Sequence, residues 1–323
     1  MKRLKVKSLV GLIGLLIFGM GCGDNIVPDN SNPNGTTTKA KLNALQAKLA
    51  PQTQRFSIDA TKYQYFTTQY GTQFSFAPNL FVDGSGSAVS GSVDIEILEL
   101  KTVSDMFLSG VTTVSGNSLL SSGGMFKIEA SQNGTPLQLK SNGSFDVMIA
   151  NEGLFDPSMQ LFVGQETGDE ENVVVWVEAD QKQGWVMGDS TQGGGRDTAR
   201  YYLNVKFLSW CNLDKYYSGG IDLTTIDVTL PDDYTNVNAN VFLFIENDNA
   251  SVRLFGDKTK ETFNTGSYKI PVGFNIKIVA VGQLDGKLYY KIVPTTVVVD
   301  HEEIISTMDE ITEADLETVL QNL

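Results

Sequence analysis

The sequence predicts a mainly β fold: two antiparallel β-sandwich-like modules with a β-rich connecting segment and a C-terminal helix. Three observations carry that reading. From Arg55 onward the apolar residues recur with a period of two, the spacing of strands that rest one face on a core. Asp83-Gly84, Asn133-Gly134, Asn142-Gly143 and Asp285-Gly286 fall between those runs, where positive φ suits glycine and is tolerated by asparagine or aspartate, so hairpins are the expected connections. A helical period closes the chain, with Leu316, Val319, Leu320 and Leu323 on one face.

At the N-terminus, Lys2, Arg3, Lys5 and Lys7 precede an apolar run from Ser8 to Gly21, and Cys22-Gly23-Asp24-Asn25 follows at once. This is the layout of an export signal: a basic region, a short apolar region and a small residue before the cleavage point. The run is too short for the roughly 20 apolar residues of a membrane-spanning helix and is interrupted by Gly11, Gly14, Gly19 and Gly21. Gly21-Cys22 supplies the small residue and the thiol that lipoprotein processing requires. Residues 1–21 are therefore expected to be removed as a signal peptide and Cys22 to be lipidated. Two or more acyl chains of the palmitate type on Cys22 would give stable attachment to a membrane while the rest of the chain stays in water.

Residues 22–54 read as a tether with a short helix. Pro28, Asn30, Asn32, Pro33 and Gly35 make its first part too polar and broken to fold alone. Lys39 to Ala50 then sets Leu42, Leu45 and Leu49 on one helical face before Pro51 ends the turn. The first sandwich is expected over 55–150, where Val93, Ile95 and Ile97 alternate with Asp94 and Glu96, and Phe126 and Ile128 with Lys127 and Glu129. Residues 151–217 are the connecting segment, in which Tyr201, Leu203, Val205 and Phe207 alternate with Tyr202, Asn204 and Lys206.

The second sandwich is expected over 218–300. The continuous run from Val241 to Ile245 suggests a strand covered on both faces, and Ile276 to Val281, Leu288 to Val293 and Thr296 to Val299 complete the set. Residues 301–323 form the helical segment, with Thr312 and Asp315 resembling a capping box; its apolar stripe is read as a lid on its own domain.

The stretches Gly71 to Asp83, Gly91 to Glu96 and Ser121 to Phe126 resemble uncharacterised outer-membrane lipoproteins of the Bacteroidota, and the similarity runs on through Phe207 to Asp214 to the C-terminal helix. More distantly, Gly71 to Phe81 is similar to the opening of the spectrin-binding type β-sandwich of ankyrins and netrin receptors, although Ala77-Pro78 stands where an isoleucine-proline pair is usual. The resemblance implies a lipid anchor at the outer membrane, facing the periplasm or the cell exterior, and brings no catalytic site with it.

Composition narrows the function further. The formal charge is −14, and losing the four cationic side chains of the signal takes it to about −18, which argues against a nucleic-acid partner. With Cys22 consumed by lipid, only Cys211 remains, so no internal disulfide is expected and no cofactor is implied. His301 is the sole histidine, which makes a Ser-His-Asp triad, a Cys-His pair or a zinc site improbable. A paired-carboxylate glycosidase stays open, because acidic residues are plentiful. Asp83 to Ser87 has the oxygen-rich look of a calcium loop but lacks alternating acidic ligands, and the run Glu166, Asp169, Glu170, Glu171 reads as a solvated loop.

Aromatic clustering is the more specific feature. Trp176, Trp185, Tyr201, Tyr202, Trp210, Tyr216 and Tyr217 fall close together, around the loop Gly193-Gly194-Gly195-Arg196-Asp197. Most of these rings are expected in the core, with Tyr202, Tyr216 and Tyr217 the candidates for a ligand-binding surface. The expectation is a non-enzymatic scaffold, adhesion or binding module of the cell envelope, partnered by its membrane and by envelope proteins or glycans. A carbohydrate-binding lipoprotein or a glycan-processing enzyme is the alternative.

Overall fold

The computed structural model describes residues 33–167, 174–191, 197–217, 222–246 and 248–323. The signal peptide, Cys22 and the first part of the tether lie outside the described residues. Asn34–Leu323 forms one compact unit. The fold is mainly β, with several antiparallel sheets and a C-terminal helix. Among the described residues no helix is long and apolar enough to cross a membrane.

The first sandwich has two layers. One sheet runs, in spatial order, Gln54–Asp59, Ser92–Leu100, Ser118–Gln132, Trp210–Tyr216, Gln160–Glu166 and Val174–Glu178. The other runs Gly184–Thr191, Thr198–Val205, Phe145–Glu152, Gln73–Phe76 and Gln64–Thr67. Between them Val93, Ile95, Phe126, Phe74, Phe145 and Leu203 fill a common core, the inward halves of the alternating patterns. A separate connecting segment over 151–217 is not what forms: its strands complete both sheets, with Val163 paired to Cys211 and Met148 to Tyr202. A period of two fixes which face of a strand is buried but not which strand lies beside it.

The second sandwich packs the sheet Phe255–Gly256, Thr262–Asn264, Ile226–Thr229, His301–Ile304 against the sheet Ser251–Arg253, Ala239–Ile245, Asn275–Leu284, Lys287–Thr296, Asp309–Ile311. Ala239–Ile245 is buried along its whole length, as its apolar run predicts. Two boundaries move. The strand expected at Thr296 to Val299 stops at Thr296, leaving Val297 in the core and Val298 and Val299 exposed. Residues 301–323 are helical only over Glu313–Gln321, because His301–Ile304 pairs in parallel with Ile226–Thr229 and Asp309–Ile311 edges the other sheet.

Three helices roof the outer face of that second sheet: α1 (Pro33–Leu49), α2 (Val103–Ser109) and α3 (Glu313–Gln321). Leu42, Phe107, Leu316 and Leu320 pack there against Phe242, Phe244, Val279 and Val281. The backbone of α1 is helical from Pro33, six residues before the start that the leucine spacing suggests. The sequence pattern missed α2, although Thr102 and Asp105 form a full capping box and Gly110 closes the helix at φ 68°. In α3 the hydroxyl of Thr312 accepts from the amide of Asp315, as its sequence predicts.

The sandwiches are interlocked. Val114 and Leu119, from a hairpin of the first, sit in the core of the second. Thr113 donates its amide to Ser251 O at 2.8 Å, and Ser251 returns its amide to the Thr113 hydroxyl at 2.9 Å. Hairpin chemistry holds at Asn133-Gly134 (φ 52° and 79°) and Asp285-Gly286 (φ 50° and 80°).

Candidate functional site

The seven clustered aromatics separate once strand pairing is known. Trp176 and Trp210 flank Gly164 on neighbouring strands and meet edge to face, with centroids 6.3 Å apart at 88°. Both are buried under the segment that follows α2, where the Trp176 indole donates to Thr112 O at 2.6 Å. Tyr201 points into the first sandwich's core and its hydroxyl accepts from the amide of Asp156 at 3.0 Å.

Two of the three predicted binding tyrosines are not on a free surface. Tyr216 packs its ring on Phe162 at 5.4 Å, because the outer face of its strand is covered. Tyr217 donates its hydroxyl to Asp248 and stacks edge-on against Phe274 at 5.3 Å, at the junction of the sandwiches. Burial, then the hydrogen bond to Asp248, push the Tyr217 phenol well above its usual range.

Tyr202 is exposed, and strand register gives it company that the sequence did not announce. Met187, Tyr202, Met148 and Gln73 lie directly opposite one another across four strands, and Trp185, Asn204, Asp146 and Ser75 form the adjacent row on the same face. Trp185 is 45%, Met187 55% and Tyr202 37% exposed. The two rows, apart from Asn204, line an open depression of about 590 Å³ with Arg200 at its margin. Asn204 donates to Asp146 at 2.8 Å and to the Ser144 hydroxyl at 3.0 Å, which fixes the polar centre. The parity signal existed in the sequence: Val186 and Leu203 are apolar inward positions, so Trp185, Met187 and Tyr202 must face out. Of the neighbouring loop only Asp197 is described, so Gly193 to Arg196 lie outside the described residues.

The nucleophile and base candidates are housed apart. Cys211 is fully buried in the first sandwich, and burial followed by the nearby Asp214 pushes its thiol well above the usual range. His301 is buried in the second, its Nδ1 accepting from the amide of Val298 at 3.3 Å. The Asp83 carboxylate is occupied by its own turn, accepting from the Ser85 amide at 2.9 Å, the Ser85 hydroxyl at 2.6 Å and the Ser87 amide at 2.9 Å. Glu166 pairs with Lys127 at 2.9 Å and accepts from the Trp210 indole; those two contacts hold its carboxyl below the ordinary range. Asp169, Glu170 and Glu171 lie outside the described residues. Among the described residues no group of three potential ligands could hold a metal ion.

A second concavity, of about 930 Å³, opens between the sandwiches. Ser121 donates to Asp248 at 2.6 Å from one wall to the other, and the Asn249 amide group reaches Lys101 O at 3.1 Å and Ser122 O at 3.2 Å. Lys215 pairs with Asp156 at 2.8 Å, which takes the Asp156 carboxyl down to about 2 and holds the lysine up. Behind the wall lies Asp214, fully buried; it accepts from Asn212 at 2.5 Å through one oxygen, and the other has no partner among the described residues. Burial pushes its carboxyl well above the ordinary range.

Neither the two-row sheet face nor this cleft has a counterpart to borrow from: no family model matches the chain, and no curated relative does.

Proposed function

We propose that this chain is a lipid-anchored cell-envelope binding protein that holds an extracytoplasmic glycan on the outer face of the five-stranded sheet of its first sandwich, without catalysis. The observation that carries the reading is the coincidence of Trp185, Met187 and Tyr202 in one exposed patch beside an ordered polar row. Aromatic and thioether groups supply contact area to the apolar faces of sugar rings, and amides and carboxylates take their hydroxyls. A regular sheet offers such groups at little ordering cost. The N-terminal pattern around Cys22 supports the anchor, and the outer membrane is the site the lipoprotein resemblance favours. The isolation of Cys211 and His301 in different sandwiches supports binding over nucleophilic catalysis.

The test is affinity electrophoresis of the soluble body through gels carrying a panel of bacterial and host polysaccharides, with the pair Trp185→Ala and Tyr202→Ala beside the unaltered protein. Retardation by at least one polysaccharide is expected, lost in the pair, while the thermal transition moves by less than about 0.5 kcal/mol equivalent, as for surface substitutions. No retardation in any gel, with site-directed crosslinking at residue 187 capturing an envelope protein instead, favours a protein scaffold on the same face. For the anchor, Cys22→Ser should abolish incorporation of labelled fatty acid; normal processing and membrane retention in that variant would refute it.

A further inference from the structure

Three lysines line the cleft between the sandwiches: Lys215, paired with Asp156, Lys277, whose ammonium donates to Leu323 O at 3.4 Å, and Lys101. Lys101 leaves the strand Ser92–Leu100 and lays its side chain over Gly124, where an added Cβ would sit 3.3 Å from its Nζ. Gly124 has φ +127°, and the register with Trp210–Tyr216 shifts between Asn212 and Asp214, so the strand bulges at Gly123-Gly124. Bulges of this kind concentrate beside functional sites, where they re-aim side chains. The bulge opens the wall that Lys101 and Asn151 share.

Lys101 lines this cavity, half-buried, and among the described residues its ammonium makes a single hydrogen bond, to Asn151 Oδ1 at a long 3.4 Å. It forms an ion pair with no carboxylate among the described residues, whereas Lys215 in the same cavity is paired with Asp156. Burial accordingly holds its ammonium below the usual lysine range. The buried carboxylate of Glu99 opposes that effect without forming an ion pair, so the ammonium is under-compensated and an anionic occupant would offset part of its desolvation. The remaining acidic groups of the cavity, among them Asp248 and Glu246, can accept from hydroxyl or amine groups, and they disfavour a second negative charge in the occupant.

We propose that the inter-sandwich cleft binds a small polar molecule carrying a single carboxylate, which takes Lys101 as its counterion. This site is separate from the exposed sheet face and independent of what binds there. Its volume of about 930 Å³ suits a sugar acid or the carboxyl end of a short peptide, two sources that share this chemistry.

The test is calorimetric titration of the soluble body with galacturonate and with the dipeptide Ala-Ala, each beside its uncharged counterpart, galactose or Ala-Ala amide. Binding of one carboxylate in the millimolar range or tighter is expected, with no measurable binding of its uncharged partner; which one binds identifies the source. Lys101→Met should weaken that binding at least tenfold, while Lys101→Arg, which keeps the charge, should retain most of it. A thermal transition recorded for both variants separates lost binding from lost folding, and ligand-dependent protection of Lys101 from amine acylation in the unaltered protein gives a readout that needs no variant. Equal affinity for charged and uncharged partners, an unaffected Lys101→Met variant, or no binding of either carboxylate would overturn the proposal.

Discussion

Gly164→Ala should destabilise the protein, against the usual sign of that substitution in regular structure. Gly164 lies in the strand Gln160–Glu166 directly between Trp176 and Trp210 on its two neighbours. A Cβ there would stand 2.5 Å from Trp210 Cβ, 2.7 Å from Val174 Cγ1 and 2.9 Å from Trp176 Cζ3. Where the backbone is unstrained and space is open, replacing glycine by alanine stabilises by about 0.4–1 kcal/mol through the unfolded state. Overpacking a filled core costs about 1–3 kcal/mol. The Trp210 Cβ is fixed by its own backbone and cannot swing aside, so the upper end applies and the net loss should be about 2 kcal/mol. At about 2–4 °C per kcal/mol for a body of this size, the thermal midpoint should fall by about 4–8 °C in differential scanning calorimetry. Gly84→Ala is the control: nothing lies within 4 Å of its Cβ position, and its midpoint should stay or rise. An unchanged midpoint for Gly164→Ala would refute the claim that this glycine exists to seat the tryptophan pair.

The other expectations concern burial and coupling. Cys211 should resist thiol reagents in the native state and react fully in denaturant, because its sulfur is buried and its thiolate disfavoured; fast native labelling would contradict this. Asp214 binds its proton more tightly folded than unfolded, so it favours the native state least at high pH: its contribution to stability declines as pH rises from about 4 toward the folded-state value. Urea midpoints across pH should show that decline flattened in Asp214→Asn, and an identical slope in both proteins would exclude the carboxyl as its source. Leu119→Ala should cost about 2–5 kcal/mol and lower one shared transition of both sandwiches, since a residue of the first fills the core of the second; two transitions, only one of them moved, would show the interlock to be energetically minor.

The β class, both sandwiches and the capped C-terminal helix were legible because they rest on local signals: a period of two in Val93, Ile95 and Ile97, positive φ at Asn133 and Asp285, a hydroxyl at Thr312. What escaped is set by pairing between distant residues. The strand Trp210–Tyr216 lies between Ser118–Gln132 and Gln160–Glu166, and nothing near it in the chain says so. The same limit governed the candidate sites. The alternation with Leu203 is enough to place Tyr202 outward, but Tyr216 and Tyr217 lie near it only in sequence, and their rings pack on Phe162 and Phe274 in other layers. The cleft was invisible for a like reason, since Ser121 and Asp248 are 127 residues apart. One local hint was present: Asn212 and Asp214 stand among Trp210, Cys211 and Leu213, two polar groups in a buried stretch of strand, a cost that a sequence rarely carries without use.

The helical roof has a consequence for the order of events during synthesis. Lys39, on α1, bonds to Asn236 and Asn240, residues made 197 and 201 positions later, and the leucines of α1 rest on sheet from that same late region. At about 5–20 residues per second, a growing chain would carry α1 for roughly 10–40 s before its docking surface has been made. Through that interval Leu42, Leu45 and Leu49 lack the sheet residues Phe242, Phe244, Val279 and Val281 on which they rest, and only α2, with Phe107 and Leu108, has been made to meet them. A nascent or truncated chain that stops short of Ala239 would therefore display a bare apolar stripe next to a half-built interlock, a surface prone to self-association.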